Sequence, residues 1–172
     1  MQIFHYPIHV PYPGSKNELI GKGLAVPVRI NRGYKKGNIT LFEITPAGMV
    51  YAKIDKVEIP GKNGLEHKYW QHIIRAHFQK QGFYTVIGQC FCGKNVDVGL
   101  EKNGAKWEVE IALSPDNILM NVEKDATACQ KIIICVRSEK SKEDYEDRVK
   151  ASFSGEFIQK VTFEILGNFI PV

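Results

Sequence analysis

KNVDVGLEKNGAKWEVEI, residues 94–111, is the stretch that decides the fold. Apolar and polar residues alternate on both sides of the Asn103–Gly104 pair, which is the pattern of two strands joined by a tight turn. Each half carries one acid among aliphatic residues, Asp97 in the first and Glu110 in the second. If the strands pair as an antiparallel hairpin, the two carboxylates lie opposite or diagonal to each other, with side-chain bases about 5–8 Å apart.

This pair of acids predicts a metal site. Adjacent carboxylates repel each other, and a divalent cation between them removes the repulsion. Mg²⁺ or Mn²⁺ prefers carboxylate oxygens and keeps water molecules that can act as nucleophiles. The alternative for Asp97 and Glu110 is the solvated face of a sheet, where strand acids usually lie. Glu108, on the same side of its strand as Glu110, fits either interpretation.

The segments around the hairpin predict an αβββαβ order. Residues 65–82 carry apolar and aromatic side chains at helical spacing and end in a glycine. FYTVIGQCF, residues 83–91, is another strand, and Ser114 with Pro115 begins a further helix. KIIICVRS, residues 131–138, is apolar enough to lie inside a sheet. A helix in EDYEDRVKASF follows, and then a late strand or pair of strands in FIQKVTFEILGNFI.

This order is similar to that of the PD-(D/E)xK nucleases, and residues 64–172 resemble a restriction-endonuclease-like α/β (α+β) domain with a mixed sheet. The resemblance covers the order of elements and the interval between Asp97 and Glu110. It implies an endonuclease that hydrolyses DNA phosphodiesters with Mg²⁺ or Mn²⁺ held by these two residues. It also implies a catalytic role for Glu66, where many members carry an additional acid; the alternative is an acid favoured by the helix dipole.

One position departs from the family pattern. The third strand of these nucleases normally reads (D/E)-x-K, whereas here Glu110 is followed by Ile111 and Ala112. The missing positive charge is assigned to Lys124 in the following helix, with Lys106 and Lys131 as further candidates. The ordinary interpretation of Lys124 is a solvated helix lysine. The sequence therefore leaves two alternatives: an active nuclease, or a catalytically inactive module of the same fold for DNA binding or assembly.

Residues 1–60 predict a separate N-terminal arm and hairpin. VPVRI and ITLFEI flank the basic turn RGYKKGN, and Thr45 with Pro46 forms a strong helix start. Residues 18–53 resemble the second half of a winged-helix domain. The cluster of positive charge in this hairpin predicts phosphate contacts, and the nucleic-acid-binding candidates are Arg29, Arg32, Lys35 and Lys36. We place the domain boundary in the linker at residues 60–64.

Composition limits the remaining function classes. The chain has 172 residues, 44% of them hydrophobic, but no apolar run near the roughly 18 residues of a membrane span. We therefore expect a soluble, cytoplasmic protein with no membrane partner. The net charge of +4 permits DNA as a partner, and a homodimer or a larger DNA-processing or mobile-element assembly is left open. Four cysteines match no metal or disulfide motif, and we expect reduced, packed thiols.

Overall fold

The computed structural model describes residues 13–33, 36–52, 64–91, 93–114, 119 and 129–170. Backbone contacts divide the chain into two compact units, Met1–Ile30 with Thr40–Ile59, and Asn31–Ile39 with Pro60–Val172. The class is mixed α and β, and the second unit contains a five-stranded sheet. Within the described residues, no helix is both long and apolar enough to cross a membrane.

Two helices and most of a two-stranded sheet belong to the first unit. Helix α1 spans Pro13–Gly21, strands β1 and β2 span Ala25–Asn31 and Asn38–Ile44, and helix α2 spans Pro46–Ala52. Helix α2 begins where the sequence predicts, because Thr45 Oγ1 accepts a hydrogen bond from the N–H of Gly48 at 3.1 Å. The tip of the hairpin, residues 31–39, belongs to the second unit.

The described elements of the second unit occur in the predicted sequence of helix and strands, with two additional short strands. They are α3 (Leu65–Lys80), β3 (Tyr84–Ile87), β4 (Cys90–Phe91), β5 (Lys94–Asn95), β6 (Val98–Lys102), β7 (Ala105–Ala112), β8 (Lys131–Val136), α4 (Glu139–Ser152), α5 (Glu156–Gln159), β9 (Val161–Ile165) and a 3₁₀ helix (Leu166–Phe169). The helix predicted after Ser114 lies outside the described residues, apart from Leu119, which is helical.

Five strands form the main sheet, in the order β3-β6-β7-β8-β9. Strands β3 and β7 are antiparallel to β6, whereas β8 is parallel to both β7 and β9. The β6–β7 hairpin turns at Asn103 and Gly104, whose φ angles of 52° and 78° suit a type I′ turn. The predicted meander is confirmed for β3, β6 and β7, but the strand predicted over residues 83–91 ends at Ile87, and Cys90–Phe91 pair with β5 in a separate sheet. Strand β8 occupies the interior position that its apolar run predicts.

The main sheet is covered on both faces. Alternate residues of β8 point to opposite sides. One set packs against α4. The resulting hydrophobic core consists of Ile132, Ile134 and Val136 of β8, Tyr145 and Val149 of α4, and Phe163 of β9. Ile133, on the other side of the strand, lines a cavity together with Phe78 of α3. Helices α3 and α4 therefore pack on opposite faces of one sheet.

The cysteines fit the sequence expectation in part. Cys129 and Cys135 are buried free thiols. Cys90 is free but exposed, which corrects the expectation that it is packed. Its strand, β4, has two residues and pairs with β5 outside the main sheet, and Cys92 lies outside the described residues.

Candidate functional site

Four elements of the second unit bring polar side chains to one end of the main sheet. The first turn of α3 carries Glu66 and His67, Asp97 precedes β6, Glu110 lies near the end of β7, and Arg137 follows β8. Because β7 and β8 are parallel, their carboxyl ends are at the same end of the sheet, and the antiparallel strand β6 begins there. The shared location of these residues therefore follows from the topology.

Asp97 is held by both a helix and a strand. Its Oδ1 lies 2.8 Å from Nε2 of His67, and its Oδ2 accepts a hydrogen bond from the N–H of Ile111 at 2.9 Å. The backbone carbonyl of Asp97 accepts a further bond from the Gln71 side chain at 3.2 Å. Since only 14% of the Asp97 side chain is exposed, these contacts give the carboxylate a fixed orientation.

The strand predicted around Asp97 breaks at that residue. Strand β6 begins at Val98, and residue 97 lies in a bend. The Asp97 carboxylate accepts the N–H of Ile111, so this backbone donor is satisfied by a side chain where an unbroken strand would offer a carbonyl. The register pairs Val98 with Val109, and Asp97 and Glu110 are therefore the next positions along the two strands.

Glu110 is half-buried on β7. Burial raises the pKa of the Cys135 thiol well above the usual range, and the negative charges of Glu164, Asp97 and Glu110 raise it further. Among the described residues, no three His, Cys, Asp or Glu side chains form a metal-binding group. Asp97 and Glu110 occupy neighbouring positions of the hairpin. Mg²⁺ is commonly held by one or two carboxylates, with waters and substrate phosphates completing its shell.

Glu66 is paired with Arg137, a cation at this end of the sheet. Arg137 donates to the Glu66 carboxylate through Nη2 at 2.6 Å and Nε at 3.3 Å, and its Nη1 donates to the Leu113 carbonyl at 3.0 Å. The arginine side chain is 47% exposed, so its guanidinium is open to solvent. Sequence reasoning missed Arg137 because it considered lysines on β7, at the start of β8 and in the helix after β7.

The described lysine candidates lie at the other end of β7. Lys131 is paired in register with Trp107, and its Nζ lies 4.9 Å from the centre of the Trp107 ring. Lys106 is the neighbouring residue on β7, with its Nζ 5.8 Å from the Phe91 ring centre. Neither is therefore placed to act beside Glu110. Lys124 lies outside the described residues.

Glu108 differs from Glu110, although the two share a face of β7. Its side chain is 1% exposed, and its Oε2 lies 2.8 Å from Nζ of Lys94. The thiol of Cys129 donates to the same oxygen at 3.6 Å. Burial raises the pKa of Glu108, while the hydrogen bond and charge of Lys94 oppose that rise. Glu108 is therefore part of an internal ion pair that anchors β5 to β7, not an acid on a solvated face.

The basic residues of the hairpin have different surroundings. Arg29 is exposed on β1. At the hairpin tip, Arg32 Nη2 donates to the carbonyl of Lys36 at 2.6 Å, and Lys36 Nζ donates to the carbonyl of Ile170 at 3.3 Å. These two cations therefore satisfy backbone acceptors of the second unit. Lys35 lies outside the described residues.

His67 and Gln71 are site residues that sequence reasoning did not identify. The His67 side chain is 11% exposed and bound to Asp97. The two polar residues lie four apart on the buried side of α3, together with Trp70 and Ile74. Polar residues at core positions of an amphipathic helix are the signal that indicates such a site, because a buried polar group needs a partner.

A cavity of about 270 Å³ opens on the α3 side of the sheet. Its walls include Phe78, Trp107 and Phe169, with Lys131 and Glu164 among its polar lining. Of the candidates named from the sequence, Lys131 lines this cavity, whereas Asp97, Glu110 and Glu66 do not. It is therefore a feature separate from the carboxylate pair.

Comparisons with known proteins add little to this geometry. No protein-family model matches the sequence, and no curated protein matches it. The crystal structure of a protein of unknown function, AF1548, is similar with a TM-score of 0.39 and 14% identity, and the match spans 58% of each chain. The YaeQ protein from Xanthomonas axonopodis pv. citri is similar with a TM-score of 0.39 and 12% identity, over 86% of this chain and 80% of that one. Both similarities are too weak to show a shared fold.

Proposed function

We propose that the second unit is a metal-dependent nuclease that hydrolyses DNA phosphodiester bonds on a restriction-endonuclease-like core. The observation that carries the proposal is the occurrence of Asp97 and Glu110 at neighbouring positions of β6 and β7, at the end of the sheet where Arg137 also lies. The antiparallel β3-β6-β7 meander followed by the parallel strand β8 agrees with the resemblance to the PD-(D/E)xK nucleases.

The two carboxylates suit a hard divalent cation. Each oxygen of Asp97 has one protein contact, at 2.8 and 2.9 Å, and retains a second acceptor position. Mg²⁺ or Mn²⁺ bound by Asp97 and Glu110 would neutralise charge on the phosphodiester and lower the pKa of a water molecule. The carboxylate oxygens therefore offer the donor chemistry that this reaction needs.

The chain's own residues orient the first carboxylate. His67 and the N–H of Ile111 contact different oxygens of Asp97, and Gln71 fixes its backbone carbonyl. A ligand that is already oriented loses less conformational freedom when it binds a metal. In this proposal, His67 and Gln71 are positioning residues.

Arg137 supplies the positive charge that the family normally takes from a lysine. Its guanidinium is partly solvent-exposed and bound to Glu66, and a phosphate oxygen can compete for the same N–H donors. Glu66 then acts by holding Arg137 at the end of the sheet. Its predicted catalytic role becomes one of orientation, and Arg29, which is exposed, remains a candidate contact for the DNA backbone.

Cleavage of plasmid DNA by the purified full chain in Mg²⁺ or Mn²⁺ tests the proposal. Asp97→Asn and Glu110→Gln are each expected to lower the cleavage rate by about 100-fold or more. Glu143→Gln, which removes an exposed acid from α4, is the matched control and should leave the rate unchanged. Equal cleavage by all four proteins would refute the site assignment.

A catalytically inactive module of the same fold is the second candidate. It is favoured by Ala112, which stands where the family has its lysine. This candidate predicts DNA binding that weakens with salt, without turnover in either metal. Wild-type protein that binds DNA but never cleaves it would select the module, and a lack of binding at low salt would exclude both candidates.

A further inference from the structure

The cavity on the α3 side of the sheet combines apolar walls with a few polar groups. Its apolar lining includes Phe78, Trp107, Ile133 and Phe169. A lysine, Lys131, and a glutamate, Glu164, belong to the same lining. An apolar hollow with a small number of polar groups that converge on it is typical of a site for a small ligand. The cavity is therefore a candidate binding site apart from the carboxylate pair.

Lys131 and Glu164 line one cavity but do not pair with each other. Within the described part of the chain, no carboxylate lies within ion-pair distance of Lys131, and no cation lies that close to Glu164. The Lys131 Nζ instead lies 4.9 Å from the ring centre of Trp107. The Glu164 carboxylate accepts a hydrogen bond from Asn168 Nδ2 at 3.4 Å. Because an ammonium group has three donors and a carboxylate has several acceptor positions, both groups retain capacity for a ligand.

The fold keeps these two charges apart. Glu164 is paired in register with Cys135, four residues beyond Lys131 on β8, which corresponds to about 13 Å along the strands. Strand β8 lies between β7, which carries Trp107, and β9, which carries Glu164. The contact with the Trp107 ring therefore draws the Lys131 ammonium away from Glu164. A ligand that lies between the two charges can meet one at each end.

The volume of the cavity limits the size of that ligand. It is about 270 Å³, which equals the liquid volume of about nine water molecules. Sites for drug-sized ligands are larger, at about 300–1,000 Å³. The aromatic rings of Phe78 and Phe169 in the same lining favour a hydrocarbon segment in the ligand, because contact with them removes apolar surface from water.

We infer that this cavity binds a small aminocarboxylate, a zwitterion whose carboxylate and ammonium groups are joined by a short apolar chain. The carboxylate of the ligand pairs with Lys131, its ammonium group pairs with Glu164, and its chain lies against the aromatic walls. A simple anion is repelled by Glu164 and a simple cation by Lys131, so that the pair of charges selects a zwitterion. The inference does not depend on the proposed nuclease function.

Isothermal titration calorimetry of the full chain with ε-aminocaproate, caproate and hexylamine tests the inference. The zwitterion should bind about tenfold more tightly than either ligand with a single charge, because each charged contact contributes to binding. Lys131→Gln and Glu164→Gln should each weaken binding of ε-aminocaproate by about tenfold or more. Lys131→Arg, which keeps the charge, should retain most of the affinity. Lys140→Gln and Glu143→Gln remove exposed charges from α4 and are the matched controls, which should bind like the wild-type protein.

No binding of ε-aminocaproate at millimolar concentrations would overturn the inference, and so would equal affinities in the cavity variants and the α4 variants. Caproate or hexylamine that binds as tightly as the zwitterion would overturn the assigned ligand class. If one cavity variant fails to fold, as circular dichroism would show, the other variant and the three ligands still decide the question. Because neither DNA nor metal is present, wild-type protein that cleaves DNA but does not bind ε-aminocaproate would refute this site alone.

Discussion

Helices α3 and α4 cover opposite faces of the same sheet, yet they meet it with different chemistry. The buried residues of α4 are Tyr145 and Val149, whose contacts are with apolar residues of the core. The buried side of α3 includes two polar residues, His67 and Gln71, and both bind Asp97. Helix α4 therefore closes a hydrophobic core, whereas α3 also holds a carboxylate in place.

The outward sides of the two helices differ as well. Helix α4 has acids and bases in similar number, and the pairs Asp144–Arg148 and Glu146–Lys150 lie within 3.7 and 3.1 Å. Helix α3 has a single acid, Glu66, which is bound to Arg137 at the end of the sheet. Charge compensation along a helix is typical of a solvated surface, and this fits the outward side of α4.

Truncation of the buried anchors should have the largest effect on stability. Trp70 of α3 and Val149 of α4 are each 1% exposed. Trp70→Ala should lower the free energy of unfolding by about 4 kcal/mol and Val149→Ala by about 2 kcal/mol, because the larger side chain leaves the larger cavity. Chemical denaturation measures both values. Equal losses would contradict the view that an aromatic anchor holds α3 to the sheet.

Substitution of Glu108 tests the ion pair between Glu108 and Lys94. Glu108→Ala removes one partner of a buried ion pair and should cost about 3 kcal/mol of unfolding free energy, since Lys94 keeps partial access to solvent. Chemical denaturation of this variant beside wild-type protein measures the loss. A loss as small as that of Glu143→Gln, which changes an exposed acid, would show that Glu108 anchors nothing.

Glu108 should also make the free energy of unfolding depend on pH. Burial raises the pKa of Glu108 in the folded state, so the folded protein binds more protons than the unfolded chain just above the ordinary glutamate pKa. The part of the stability that comes from this proton uptake is therefore complete below that value and is lost as pH rises through the raised pKa, whereas the ion pair with Lys94 needs the charged carboxylate. Glu108→Gln should lack this slope in denaturation measured across pH. An identical slope in the variant would assign the dependence to another group.

Arg137 should affect cleavage much more than stability. Its ion pair with Glu66 is partly exposed, with 47% of the Arg137 side chain open to solvent, so Arg137→Ala should change the free energy of unfolding by about 1 kcal/mol. The cleavage rate should fall by about 100-fold, because a charge that stabilises the transition state is removed. Arg137→Lys should recover part of the rate. A normal cleavage rate in Arg137→Ala would remove this residue from the mechanism.

The exposed ion pairs of α4 should have the smallest effect. Arg148→Gln removes a pair that is at least half exposed on both sides, which is worth about 0.3–0.5 kcal/mol in unfolding free energy. Neither DNA binding nor cleavage should change. A clear loss of DNA affinity in this variant would show that α4 contacts DNA and is not simply a solvated helix.

Local patterns account for most of what the sequence predicts. The β6–β7 hairpin follows from alternation and the Asn103–Gly104 turn, and β8 follows from its apolar run. The adjacency of Asp97 and Glu110 follows from the same register. Each of these features is determined by residues close together in sequence, which is why one sequence suffices to predict them.

The remaining features depend on contacts between distant segments. Arg137 and Glu66 are 71 positions apart in the chain, and His67 and Asp97 are 30 apart. No local pattern encodes such pairs, because the sheet order that joins them is set by the whole fold. The break of the strand at Asp97 was not predicted because the valines on both sides are typical of an unbroken strand. The Asp97 carboxylate replaces a backbone acceptor for the N–H of Ile111, and this contact joins residues 14 positions apart.

Anomalous diffraction from crystals grown in Mn²⁺ tests the central claim most directly. A metal peak about 2.1 Å from carboxylate oxygens of both Asp97 and Glu110 is the predicted result. The peak should disappear in Asp97→Asn and persist in Glu143→Gln. Crystals that show manganese elsewhere, or none at this end of the sheet, would contradict the assignment of Asp97 and Glu110 as a shared metal site.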